Sequence, residues 1–315
     1  MNMRIVLLGA TGFVGRHLLP ELARRGHECL VLCRNPARTG YLKLVPGVSL
    51  KAVAAFDASN LTLHLPGADA VVNLIGILNE PGRDGRGFHR VHVGIVEGLI
   101  EACRRTGVRR IVQVSALNAG KGESHYLVSK GEAERLLLEA DGIDATIVQP
   151  SVIFGEGDDF FNRFASLLRL APVLPLACPG ARLQPVWVGD VANAIAQVLQ
   201  DPGTIGRTLE LAGPRAYSLR ELVEFTARAA GLRRKIIALP DGIARLQAML
   251  MDFVPGKPFS SDNYRSLQVD NVSQRNALPE LGIAPLSIKA VVPGYLAGSL
   301  HQRRLDAWRR RADAR

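Results

Sequence analysis

Arg4-Ile-Val-Leu-Leu8, followed at once by Gly9-Ala-Thr-Gly12-Phe-Val-Gly15, is an apolar strand running into a turn that carries three glycines. The residues after it, Gly12–Arg25, have helical periodicity and stop at Gly26, a residue that ends helices well. Each glycine has a separate job in such a strand–turn–helix unit. Gly9 lets the chain reverse tightly, Gly12 leaves no side chain in front of the turn, and Gly15 lets the helix pack close to the sheet. The amides at the helix start then face an anion with their hydrogen-bonding ends and their partial positive charge. Three glycines at this spacing are weak evidence alone. Their place at the first strand-to-helix turn is what makes them a dinucleotide fingerprint.

The chain continues in the same alternation. Glu28–Cys33, Val48–Phe56, Ala70–Ile75, Arg110–Ser115 and Ala145–Pro150 read as strands, and Phe88–Thr106 and Ser124–Ala140 as helices. The pattern predicts an α/β fold with a Rossmann-type, doubly wound parallel sheet over residues 1–150. Beyond Pro150 helices dominate, with short strands expected at Gln184–Val188, Thr208–Leu211 and Lys235–Ala238. Ser218-Leu-Arg-Glu221 is a capping box opening a helix through Ala230. Residues 151–315 are therefore expected to form a smaller C-terminal substrate lobe that shares the sheet, packed where ligands bind in open α/β sheets.

Composition sets limits on partners. The 315 residues are 47% hydrophobic and 22% charged, with a net charge of +10. Residues 301–315 hold six arginines against Asp306 and Asp313, a balance of +4. A basic, amphipathic end of this kind fits a membrane surface or a partner protein better than nucleic acid, and a solvated helix end serves equally well. No window is apolar for the roughly 18 residues a spanning helix needs. Met1–Leu8 reads as a strand and not as a secretory signal. Cys29, Cys33, Cys103 and Cys178 form no CxxC pair and no metal-ligand spacing, so no metal is expected. Buried, reduced thiols in a cytoplasmic protein are the expectation, with a peripheral position at the inner membrane face as the second.

The end of the second strand bears on the choice of dinucleotide. Cys33-Arg34-Asn35-Pro36 carries no acid for a ribose 2′-hydroxyl, and Arg38 lies just beyond. A guanidinium pairs with a phosphate in bidentate fashion, so NADP(H) is preferred over NAD(H). Tyr126-Leu-Val-Ser-Lys130 places a phenol and an ammonium one helical turn apart, and no other tyrosine of this chain has a lysine at that spacing. Ser115 ends the preceding strand. Together they can move a proton at a carbonyl or alcohol while hydride moves to or from a nicotinamide. Tyr126 would act as acid/base, Ser115 would hold the substrate oxygen, and Lys130 would favour the phenolate and hold the ribose.

These motifs together resemble the extended short-chain dehydrogenase/reductase superfamily, which is like the NAD-dependent epimerases and dehydratases. Asn73-Leu-Ile-Gly-Ile77, Val91-His-Val93, Gln149-Pro-Ser-Val-Ile-Phe-Gly155, Asp158-Asp-Phe-Phe-Asn162, Gln184-Pro-Val-Trp-Val-Gly-Asp-Val191 and the region Leu239–Leu296, with Pro255-Gly-Lys-Pro258, are similar to one branch. It contains the nucleotide-binding accessory subunit of mitochondrial respiratory complex I and its bacterial relatives. The resemblance implies that Gly9, Thr11, Gly12, Phe13 and Val14 line the pyrophosphate. Asp57, beside Ala58, would meet the adenine edge. Leu74, Ile75 and Gly76 would flank the adenosine ribose and pyrophosphate, and Pro150, Ser151 and Ile153 the nicotinamide carboxamide. It also implies two roles: an oxidoreductase or epimerase acting on a quinone-like, lipid-like or nucleotide-sugar substrate, or a non-catalytic holder of NADPH in a respiratory membrane assembly. His92 stands where the superfamily often has an asparagine, either as a half-buried residue bonded to backbone or as part of a proton relay. Gln149 stands in place of the usual arginine.

Other polar residues read structurally. Asp158 and Asp159 are expected to cap the helix that follows, and Asp190 to cap another before Val191. Ile243, Leu246, Met249, Leu250 and Phe253 form a stripe at helical spacing. Core packing is the first expectation for it, with a lid or a lipid-facing surface second. Leu296, Leu300, Leu305 and Trp308 among the tail arginines make a peripheral membrane contact through the C-terminus a further expectation.

Overall fold

Side chains alternate across a strand, and β1 (Arg4–Leu8) uses both faces. Ile5 and Leu7 enter one core with Val31, Val72 and Val112, while Val6 and Leu8 enter a second with Leu32, Val71 and Ile111. A strand buried on both sides has to sit inside a parallel sheet covered by helices. The computed structural model, which describes residues 2–255 and 257–297, has that arrangement.

After β1 come α1 (Phe13–Arg24), β2 (Glu28–Cys33), β3 (Val48–Ala52), α2 (Ala58–Thr62), β4 (Ala70–Asn73), α3 (Arg86–Thr106), β5 (Arg110–Val114), α4 (His125–Leu138) and β6 (Asp144–Pro150). The remainder holds β7 (Ile153–Phe154), α5 (Phe160–Leu170), β8 (Val173–Leu176), β9 (Arg182–Leu183), β10 (Val186–Trp187), α6 (Val188–Gln200), β11 (Thr208–Leu211), β12 (Tyr217–Ser218), α7 (Leu219–Ala229), β13 (Lys235–Ala238), α8 (Asp241–Met251) and α9 (Ser261–Ser266). Residues 288–297 are helical as well. Seven parallel strands form the central sheet in the order β11-β6-β5-β4-β1-β2-β3. The order reverses between β1 and β4, and the crevice at that switch point lies directly above Gly9 and Leu74.

β11 comes from beyond residue 150 and completes the sheet against β6. α6 packs on α1 over one face, and α2, α3 and α4 cover the other. A third core of Phe154, Phe161, Leu168, Leu222, Val223 and Val292 holds the smaller lobe together around α5 and α7. Three short two-stranded ribbons tie that lobe down, β7 with β10, β9 with β12, and β8 with β13.

Several expectations change here. The third strand ends at Ala52, because its partner β2 ends at Cys33, the register mate of Ala52. Of the strand expected over Gln184–Val188 only Val186–Trp187 forms, and Pro185, which has no N–H to donate, separates it from β9, which has a different partner. Cys29, Cys33 and Cys103 are buried but Cys178 is only half-buried. α6 begins at Val188, so Asp190 sits in its first turn, and its carboxylate accepts from the Leu286 amide at 2.8 Å. Asp158 accepts from the Phe161 amide at 2.7 Å and so holds the start of α5, whereas the Asp159 side chain makes no capping bond.

The stripe on α8 is not core. Its large residues are more than half exposed, and the small Ala244 and Ala248 are the ones that pack inward. Leu296 is buried in the third core and faces no solvent. The expected contact through the basic tail, with Leu300, Leu305 and Trp308, lies outside the described residues.

Candidate functional site

The glycine turn is built as its spacing requires. Gly9 has φ +76°, in the left-handed region, and a Cβ there would lie 2.9 Å from the Ile75 amide nitrogen. A Cβ on Gly15 would lie 2.2 Å from the Ala10 Cα, so only glycine lets α1 close onto the turn. A Cβ on Gly12 would meet nothing nearer than the Gly9 carbonyl at 3.3 Å. Gly12 is exposed and serves as the N-cap of α1 without any capping side chain. The amides of Phe13, Val14 and Gly15 open the helix toward this side chain-free face. Thr11, Phe13 and Val14 are half-buried around it. The turn fits a diphosphate, because its lining is backbone and the helix dipole favours negative charge there.

Two loops flank the turn. Arg34 and Arg38 after β2 are exposed, and among the described residues neither side chain has an ion-pair or hydrogen-bond partner. Asp57 caps α2. Its Oδ1 accepts from the Asn60 amide at 2.9 Å, and these bonds hold its carboxyl below the usual range. Ala58 follows it, packed so closely on α3 that a Cβ at Gly98 would stand 3.0 Å from the Ala58 nitrogen. On the other side, the turn Leu74-Ile75-Gly76 is pinned at both ends. Asn73 Oδ1 accepts from the Ile75 amide at 3.1 Å, while Asn73 Nδ2 donates to Gln113 Oε1 at 2.8 Å. The Ile77 amide donates to His92 Nε2 at 3.1 Å.

α4 brings the remaining polar groups to the same crevice. Tyr126 is half-buried, stacked edge-on against Phe88 and His92, and its hydroxyl makes no hydrogen bond among the described residues. Loss of water around the phenol pushes its pKa up to about 12. The neighbouring ammonium, expected to favour the phenolate, does not reverse that. Lys130 is 4% exposed. Burial pulls its ammonium down to about 8, against a smaller opposing pull from Glu134. Its Nζ donates to the Val114 carbonyl at 3.2 Å and stands beside Gly76, where a Cβ would be 3.1 Å away. An ammonium has three protons to donate, so two remain for a ligand. Ser115 follows Val114, and its buried Oγ has no hydrogen bond of normal geometry, although its hydroxyl approaches the Glu134 carboxyl closely enough to offset part of the rise that burial causes there.

His92 is fully buried, not half-buried. The Ile77 amide occupies Nε2, so the proton is assigned to Nδ1, which faces Ser129 Oγ at 2.8 Å. Ser129 in turn donates to the Tyr126 carbonyl at 3.0 Å. Burial, helped by Lys130, pushes the imidazole down to about 3. The ring is therefore neutral, with both nitrogens engaged, and it ties the Gly76 turn to the helix carrying Tyr126. Gln149 donates to both oxygens of buried Glu134 at 2.8 Å. Burial raises the Glu134 carboxyl, and that carboxyl faces Lys130 one turn along α4.

Some supporting residues had no sequence signal. Asp262 of α9 accepts from Ser124 Oγ at 3.0 Å and from the His125 and Tyr126 amides at 2.7 and 3.2 Å, so a residue 136 positions away fixes the start of α4. Glu80 accepts from the Gly85 and Gly87 amides, each at 2.7 Å, and fixes the start of α3. Asn271 holds Ser151: its Oδ1 accepts from the Ser151 hydroxyl and from the Val152 amide. Pro150 and Ser151 are buried at the strand end beside β11, and Ile153 is half-buried in β7, paired with β10.

A side chain-free diphosphate cradle at the switch point of a parallel sheet, with a tyrosine and a lysine on the adjoining helix, defines an NAD(P)-binding Rossmann protein. An NAD(P)H-binding family profile matches residues 9–162. NADH dehydrogenase (ubiquinone) 1 alpha subcomplex subunit 9 of Arabidopsis thaliana mitochondria is 32% identical over 309 residues, covering 92% of this chain and 76% of that protein. The ceramide reductase of Caulobacter vibrioides is 30% identical over 240 residues, covering 75% and 74%. Among solved structures, the dTDP-glucose 4,6-dehydratase DesIV of Streptomyces venezuelae, with NAD and TYD bound, superposes with a TM-score of 0.72 at 20% identity, covering 96% and 98%. The chain belongs to the extended short-chain dehydrogenase/reductase family, in the branch of the complex I subunit 9 proteins.

Proposed function

We propose that this protein is an NADP(H)-dependent oxidoreductase acting on a carbonyl–alcohol pair, with Tyr126 as its proton donor. The observation that carries the reading is a set of unspent polar groups. Only three buried side-chain polar atoms lack a partner among the described residues, and one of them is Ser115 Oγ. Lys130, whose Nζ reaches the carbonyl of the residue before Ser115, keeps two protons free, and Tyr126, one turn earlier on α4, has a hydroxyl without a hydrogen bond among the described residues. Native interiors satisfy their polar groups, so such a cluster in a crevice is best explained by a ligand that completes it.

The nicotinamide, when bound, supplies or takes the hydride. Gly9, Thr11, Gly12, Phe13, Val14 and Gly15 would hold its diphosphate. Arg34 and Arg38 would take a 2′-phosphate, since no carboxylate is there to pair with them. Asp57, Ala58, Leu74, Ile75 and Gly76 would border the adenosine half, and Pro150, Ser151 and Ile153 the carboxamide. Lys130 would donate to the ribose and Ser115 to the substrate oxygen. A phenol at about 12 is protonated at neutral pH. Tyr126 thus starts as an acid, which suits carbonyl reduction better than alcohol oxidation. His92 serves as a positioning residue, because its nitrogens are already engaged. The name of the Caulobacter relative supports a lipid-like carbonyl over a quinone or a nucleotide sugar.

The second reading is a non-catalytic NADPH holder in a respiratory membrane assembly. Two observations favour it, the likeness to subunit 9 over most of both chains and a histidine whose two ring nitrogens are already engaged by backbone and Ser129. Tyr126→Phe separates the two. The first reading expects NADPH to stay bound while reduction of a long-chain ketone falls by about 10²–10⁴-fold. Unchanged reduction removes Tyr126 as the acid.

A further inference from the structure

α8 is amphipathic in the wrong sense for a helix on a protein surface. Ala244 and Ala248 face the protein, while Ile243, Leu246, Met249 and Leu250 face outward at 53–61% exposure. At about 100° per residue, those four occupy an arc of roughly 120°, with only Gly242 and no charged side chain among them. Phe253 and Val254, in the turn that ends the helix, extend the same face at 68% and 40% exposure. Six large apolar side chains exposed side by side, with no charged group between them, mark a docking site.

We infer that this face of α8 seats the protein on an anionic lipid bilayer. Cations rim it. Arg245 borders the apolar arc on the helix itself, and the Arg83 guanidinium lies 4.0 Å from the centre of the Phe253 ring. Lys257 follows two residues past Pro255, and its Nζ donates to the Gly82 carbonyl. Of the nearby acids, Asp84 pairs with Arg86, while Asp241 and Asp252 accept from the Tyr264 and Ser261 hydroxyls. The chain as a whole carries +10. Large aliphatic side chains without a polar group among them, edged by arginine and lysine, are the pattern of a helix lying in a headgroup layer.

Among the described residues no helix is long and apolar enough to cross a membrane, so the contact is peripheral. It also lies next to the site. Exposed Leu78 begins the loop from Gly76 to α3, and that loop touches Lys257 through Asn79 and α9 through Asn263. A bilayer under α8 therefore borders the crevice at Tyr126 and Gly76. The inference holds whether or not the site turns over.

The test is sedimentation of the full chain with phosphatidylcholine vesicles, with and without phosphatidylglycerol. The wild type should pellet with the anionic vesicles. Leu246→Gln/Leu250→Gln should bind at least about tenfold more weakly, with the NADPH-induced rise in melting temperature intact as proof of folding. Arg83→Gln/Arg245→Gln should weaken binding only when phosphatidylglycerol is present, and high salt should erase the difference. A wild type that never pellets overturns the inference, including the case where it forms a Leu246-dependent dimer instead. So does a leucine variant that pellets like wild type, including the case where removing residues 301–315 alone abolishes binding.

Discussion

Replacing Lys130 with methionine isolates the electrostatic cost of a buried ammonium. Lys130 is 4% exposed, and burial lowers it from 10.5 to about 8. The shift corresponds to about 3 kcal/mol, at about 1.4 kcal/mol per pH unit. Between pH 8 and 10.5 the unfolded chain keeps a proton on this lysine that the folded chain has lost. Stability therefore rises with pH across that window, and the destabilisation is constant and complete below it. Methionine has similar length and no charge, so Lys130→Met removes the dependence. At pH 7 the substitution also leaves the Val114 carbonyl without its donor, at a cost of about 1–3 kcal/mol, so the two proteins should be close in stability there. Urea unfolding at intervals from pH 7 to 10.5 should show the wild type gaining on the variant by up to about 3 kcal/mol. Tyr126, Cys29 and Cys103, all pushed up to about 12, ionise alike in both proteins and cancel. A difference that stays flat from pH 7 to 10.5 would refute the claim that Lys130 is held partly discharged by burial.

Two further outcomes follow from named contacts. Asp262→Ala removes the acceptor for Ser124 Oγ and for the His125 and Tyr126 amides, and should cost about 2–4 kcal/mol in urea melts at neutral pH, since hydrogen bonds to a charged group contribute about 1.5–3 kcal/mol and do not add fully. Asp262→Glu should recover little, because the carboxylate would overreach the helix start. Arg34→Ala/Arg38→Ala should weaken NADPH binding at least about tenfold, as expected for loss of charge-assisted bonds to a phosphate, and leave NADH within about twofold by calorimetry. Equal loss for both dinucleotides would contradict the assignment of these arginines to the 2′-phosphate.

The centre of the sheet was legible in the sequence because its inner strands are buried on both faces and so read as apolar runs, unlike the edge strand β3, which is half-buried or exposed throughout. Ala70–Asn73 and Arg110–Val114 needed no partner to be recognised. Their ends were harder to place: Val48–Phe56 is apolar past Ala52, but a strand lasts only as long as its neighbour, and Cys33 closes that ladder. The glycine turn was legible for the opposite reason, since each glycine answers a local backbone demand. The α8 stripe shows where periodicity stops informing. Spacing says which residues share a face, and only the packing of Ala244 and Ala248 says that the face points outward. Asp262 and Asn271 left no trace, because their bonds join residues more than a hundred positions apart and no local pattern encodes them. The engagement of both His92 nitrogens depends on the Ile77 amide and Ser129, which meet only once α3 and α4 pack.

The most direct test is titration of NADPH into the purified wild-type chain and into Gly12→Val, followed by tyrosine-to-nicotinamide energy transfer. A side chain at Gly12 meets only the Gly9 carbonyl, so the fold should survive while the cradle is filled. Saturable binding by the wild type, lost by at least about a hundredfold in a variant that melts normally, is the predicted result. A wild-type chain that binds neither NADPH nor NADH, or a variant that binds as well as wild type, would contradict it.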